Sequence, residues 1–190
     1  MPHAWNDPQT LDYVFAALGG VALAAACGLR AFLPLLALAI GARAGLLHLA
    51  PQASFLGSQP VVIMLAIAAT IEVLADKVPV IDHLLDVAAT FVRPAAAALA
   101  GWATFAGLPA PLSAAAAIIL GAGALGVHAL KAKTRLGSTA LTLGHANPLL
   151  SVTEDTMAGG LSAMALLMPV VAFGLVAITV FLLVRMVRRR

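Results

Sequence analysis

The chain has 190 residues, of which 62% are hydrophobic and only 10% charged, and its mean hydropathy is +1.03. Soluble domains carry about 45–50% apolar residues, so this composition excludes an ordinary soluble domain and predicts a polytopic membrane protein. The net charge of +3 and the pI near 9.6 do not signal nucleic-acid binding. The basic residues gather at 131–135 and 185–190, at the ends of apolar segments, as on the cytoplasmic side of a membrane protein.

Aromatic residues make up 5% of the chain and the apolar ones are mainly Ala, Leu, Val and Gly. An outer-membrane barrel would need period-two alternation and aromatic girdles; helices are the reading instead. Abundant Ala and Gly lets helix backbones approach closely in lipid, which suits a compact bundle and a homo-oligomer. The single cysteine, Cys27, excludes an internal disulfide and a multi-cysteine metal site. No basic residue precedes the first apolar segment, so that segment is expected to stay in the mature chain.

Taken in order, the first apolar segment, about 11–42, is too long for one straight crossing of a core about 30 Å thick and contains Pro34. It is expected to be a tilted, broken helix or two short ones. A second segment covers about 59–77 and ends at Pro79. A third, about 82–105, carries Asp82 and Asp86 in its first turns, where the helix dipole favours acids. After a turn at 107–111, a fourth segment runs over 112–133 to the basic cluster. A fifth, 136–153, is interrupted by Gly144, Asn147 and Pro148 and suits a half-helix or a re-entrant hairpin. The sixth covers about 156–184.

Gly28-Leu-Arg-Ala-Phe32 echoes Gly126-Val-His-Ala-Leu130, and in each half a proline-led segment is followed by an acidic pair: Pro60 by Glu72 and Asp76, Pro148 by Glu154 and Asp155. Three spans per half would place the halves, 10–106 and 112–187, in inverted orientation within one membrane domain spanning 1–190. Transporters of that design hold their sites where interrupted helices meet.

The stretch 72–86 is the most informative. Glu72, Asp76, Lys77, Asp82, His83 and Asp86 lie between apolar runs, and a charge at the centre of a membrane helix costs about 2.5–3.5 kcal/mol on insertion scales. Glu72 and Asp76 are four apart, as are Asp82 and Asp86. Such carboxylates, with Asn147, Glu154 and Asp155, suit a cation or coupled protons. The rival reading is that Arg30, Lys77, Arg93, Lys131 and Arg135 neutralise the acids and every charge is structural. His128, Lys131 and Arg135, at i, i+3 and i+7, share a helical face that would also receive an anionic headgroup. No phosphate loop, His-Glu-x-x-His or activated nucleophile is present, so an enzyme has no support, no cofactor is implied, and the identity of any bound metal stays open.

The motifs Gly28-Leu-Arg-Ala-Phe-Leu-Pro34-Leu, Glu72-x-x-x-Asp76-Lys77-x-Pro79-x-x-Asp82-His83, Thr90-x-x-Arg93-Pro94, Lys131-Ala-x-Thr-Arg135 and Asn147-Pro148-x-x-Ser151-x-x-Glu154-Asp155 together resemble a bacterial integral-membrane family catalogued only as a domain of unknown function. The resemblance implies a small multipass protein of the bacterial inner membrane and carries no substrate. The expectation is an all-α bundle of about six spans, both termini cytoplasmic, transporting an ion or small solute. A headgroup-binding protein and a non-transporting assembly factor are the alternatives.

Overall fold

A computed structural model describes residues 8–188 apart from 78, 106 and 144; for 8–9, 79–86 and 187 the backbone alone is described. Among the described residues the chain forms seven α-helices and one 3-10 helix, with no strand: α1 (Pro8–Cys27), α2 (Phe32–Arg43), the 3-10 helix (Pro51–Gly57), α3 (Gln59–Ala75), α4 (Pro79–Thr104), α5 (Ala110–Thr142), α6 (Asn147–Leu167) and α7 (Pro169–Arg188).

The first apolar segment is two helices. At its end α1 tightens, with the Gly28 and Leu29 amides donating to the Ala25 and Ala26 carbonyls, and the chain breaks over residues 28–31. Gly28 is required there, because a Cβ would sit 2.5 Å from Val127 Cβ and 2.9 Å from the Ala124 carbonyl of α5. Pro34 does not cause the break. It occupies the first turn of α2, where a missing N–H costs nothing. With 12 residues, α2 is about 18 Å long, short of a full crossing. The 3-10 helix and α3 then meet at an angle of 64°.

The central helix is α1, which packs against α2, α4, α5, α6 and α7. The interior is built from small residues, including Ala22, Ala24, Ala97, Ala100, Ala103, Ala124 and Ala165, with Leu23, Leu35 and Leu38. Large apolar side chains point outward instead, among them Phe91, Ile118, Leu141 and Leu167, the arrangement expected where lipid replaces water. By length and composition, Thr10–Cys27, Ala110–Thr142 and Pro169–Met186 are able to cross a membrane, and the bent 3-10/α3 pair makes a fourth.

Two expected boundaries are corrected. The fourth segment does not stop near residue 133: α5 continues unbroken for 33 residues, about 50 Å, and takes in the first part of the fifth. It ends at Leu143, which adopts a left-handed conformation at φ 53°, and the rest of the fifth segment opens α6. The sixth segment is not one helix either. It divides at Met168 (φ −142°, ψ 63°), because Pro169 cannot donate to the preceding turn. The echo between 28–32 and 126–130 is likewise not carried into the backbone. The first stretch spans the α1–α2 break, and the second lies inside unbroken α5.

Candidate functional site: a buried ion-pair network

The charged motifs converge where the α1–α2 break, the end of α3, the second half of α5 and the start of α6 meet. Arg30 sits at the centre and is fully buried. Its Nη2 lies 2.6 Å from Asp76 Oδ2 and 3.0 Å from Ser151 Oγ, and its Nε lies 2.7 Å from Asp155 Oδ1. The Arg30 Nε–Asp155 contact is close enough to be an ion pair but misaligned for a hydrogen bond, and Arg30 Nη1 has no hydrogen-bond partner among the described residues.

Asp76 is shared by two guanidiniums. Arg135 approaches from α5 with Nη1 3.2 Å from Oδ1 and Nη2 2.5 Å from Oδ2, the forked geometry that makes Arg–carboxylate pairs strong. Ser151 also donates to Asp76 Oδ2 at 2.9 Å. Arg135 Nη2 and Lys131 Nζ both reach Glu154 Oε2 at 2.9 Å, and Lys77 approaches Asp155 at 3.5 Å from a half-exposed position.

Helical spacing explains the convergence. Ser151, Glu154 and Asp155 lie at i, i+3 and i+4 of α6; Lys131 and Arg135 lie four apart on α5. The face shared by His128, Lys131 and Arg135 is real, but it is turned inward, each residue being buried. A guanidinium in so apolar a setting is tolerated only when paired and hydrogen-bonded, and the carboxylates of α3 and α6 supply that.

Glu72 does a different job from Asp76, although both lie on one face of α3. Its Oε1 accepts from the Ala31 amide at 2.8 Å and its Oε2 from the Phe32 amide at 3.0 Å. It thus caps α2 from a distant helix, taking up amides that a helix start leaves unpaired.

A second polar pair lies between α4 and α5. Arg93 Nη1 faces His128 Nδ1, and Thr90 Oγ1 lies 3.3 Å from His128 Nε2. Arginine can only donate, so Nδ1 is the acceptor in this contact.

The expected site residues therefore divide. Arg30, Asp76, Lys77, Lys131, Arg135, Glu154 and Asp155 come together; Glu72 adjoins them; Arg93 and His128 pair separately. Asn147 stands apart and caps nothing: its Nδ2 donates to Thr139 Oγ1 at 3.0 Å across the α5–α6 corner. The Asp82, His83 and Asp86 side chains and Gly144 lie outside the described residues. Ser151, which the sequence offers only as part of the Asn147-Pro148-x-x-Ser151 motif, is a buried bridge between Arg30 and Asp76. Its spacing from Glu154 and Asp155 was the available signal. Among the described residues no three His, Cys, Asp or Glu side chains converge as metal ligands.

Beside the network lies a cavity of about 210 Å³ between α2, α3 and α4, reached by Glu72, Asp76 and Arg93. The class defined by these features is an all-helical protein of membrane character with a buried charge network joining the α1–α2 break, the end of α3, α5 and α6. More particularly, the chain belongs to the family described as Domain of unknown function (DUF4126), whose family model matches residues 17–189. No curated protein and no solved structure matches it.

Proposed function

We propose that the chain is a small transporter or channel of the bacterial inner membrane for an ion or small solute, with the ion-pair network as its coupling element. The observation that carries this reading is Asp76, whose single buried carboxylate holds Arg30 from the first half and Arg135 from the second. A proton or cation captured by Glu154 or Asp155 loosens Lys131, Arg135 and Arg30, and frees one half to move against the other. Acids and bases meeting at broken helices support the design of two inverted halves, 10–106 and 112–187, with about six crossings. Basic residues at 185–190 support a cytoplasmic C-terminus, and the open outer positions of Gly123, Gly126 and Gly137 on α5 suit a homo-oligomer.

The test is flux in liposomes. Glu154→Gln and Asp155→Asn are expected to abolish proton- or sodium-driven uptake while leaving a folded protein. Folded variants with full flux would remove these carboxylates from the mechanism.

A second reading, a non-transporting assembly factor, is favoured by one observation: Glu72, Asp76, Glu154 and Asp155 all have close donors or cationic partners. It predicts no flux in the parent protein. The headgroup reading loses support at His128, Lys131 and Arg135, because their face is buried and Lys131 and Arg135 already hold carboxylates.

A further inference from the structure

A second cavity, of about 140 Å³, lies at the end of α1 away from the ion-pair network. Asp12 and Gly19 of α1 line it, with Gly45 and His48 of the loop after α2 and Ala165 and Pro169 of the α6–α7 break. Asp12 is about 22 Å along α1 from Cys27, so the two sites are separate.

Asp12 differs from the other acids. It is the only charged residue in the span Thr10–Cys27, and a charge within a membrane helix is ordinarily paired or functional. Glu72, Asp76, Glu154 and Asp155 each hold a donor or a cation. Among the described residues Asp12 holds neither, and His48 makes no hydrogen bond or ion pair.

The backbone around the cavity offers acceptors. Pro169 has no N–H, so the Ala165 carbonyl loses the donor that an unbroken helix would give it. That oxygen lies at the bare α carbon of Gly19, where a Cβ would come within 2.7 Å of it. It also belongs to the C-terminal end of α6, the negative end of the helix dipole. In the loop, the chain turns at Gly45 with φ 72°, and the Ala44, Gly45 and Leu46 amides all donate back to α2 carbonyls. No lysine or arginine joins the lining.

We infer that this cavity binds a hydrated divalent transition-metal cation, with the Asp12 carboxylate, a His48 ring nitrogen and the Ala165 carbonyl as ligands and water at the remaining positions. Imidazole beside oxygen donors suits ions from Mn²⁺ to Zn²⁺ better than Mg²⁺. The volume leaves room for an ion with several waters. Two side chains and one carbonyl make an open, exchangeable site rather than a closed structural one. The binding does not depend on the transport reading.

The tag-free full chain in detergent is titrated with ZnCl₂ by calorimetry and with MnCl₂ by loss of the free-ion paramagnetic resonance signal. One saturable site is expected, with affinity falling in the order Zn²⁺, Mn²⁺, Mg²⁺. Asp12→Asn and His48→Asn are each expected to weaken Zn²⁺ binding about tenfold or more. Both side chains are exposed, so neither variant should lower the melting temperature. His3→Asn and His145→Asn are expected to bind as the parent does.

No saturable Zn²⁺ binding, Mg²⁺ binding as tight as Zn²⁺, or binding unchanged in Asp12→Asn or His48→Asn would overturn the inference. Loss of binding in His3→Asn or His145→Asn would do the same, by placing the metal elsewhere.

Discussion

The alanine-packed centre and the charged junction hold this molecule together by opposite means. At the centre, α1 approaches α4 so closely that a Cβ on Gly20 would lie 1.9 Å from Thr104 Oγ1; cohesion there is dispersion between small groups in backbone contact. At the junction, side chains from α5 and α6 reach across to Arg30 and Asp76. The first region has little room for added volume, and the second depends on partners that come from separate elements.

The largest effect is expected at Arg30. Arg30→Ala removes one of the two guanidiniums on Asp76 and the nearer cation on Asp155 and should cost about 3–5 kcal/mol, read as a lower unfolding midpoint in detergent titration. Gly20→Val should cost less, about 1–3 kcal/mol for overpacking. Thr104→Ala should recover part of it, since among the described residues the threonine hydroxyl bonds its own helix at Ala100 and Gly101. If Gly20→Val proves the more damaging, packing rather than charge dominates and the contrast fails.

Two smaller changes sharpen it. Ser151→Ala removes a neutral bridge and leaves both charges of the Arg30–Asp76 pair in place, for about 0.5–1.5 kcal/mol. Lys77→Ala, at a side chain 40% exposed, should cost about 1 kcal/mol or less. A large loss from Lys77→Ala would show that the network extends to its exposed edge, and melting curves of both variants decide it.

Much of the site was legible because the signals were local. Glu72 and Asp76 on one face of α3, and His128, Lys131 and Arg135 on one face of α5, follow from spacing alone, and both hold. The all-helical class followed from composition, and a break in the first segment from its excess length, though not its place at Gly28 rather than Pro34. The break at Met168 was marked by Pro169 but hidden inside a long apolar run.

What spacing does not contain is the partner. Glu72 and Asp76 are one turn apart, yet one caps α2 and the other is clamped by two arginines, because their neighbours come from residues 31–32, 30 and 135. The inward turn of the basic face on α5 was equally out of reach: a charged face at i, i+3 and i+7 looks the same whether it meets water, headgroups or carboxylates. By itself, the sequence determined membrane character, helix content and the identity of the charged residues, since hydropathy and helical period are properties of consecutive residues. Only the tertiary structure decided which charges neutralise one another and where the cavities open, since those depend on distances between segments as far as 121 residues apart.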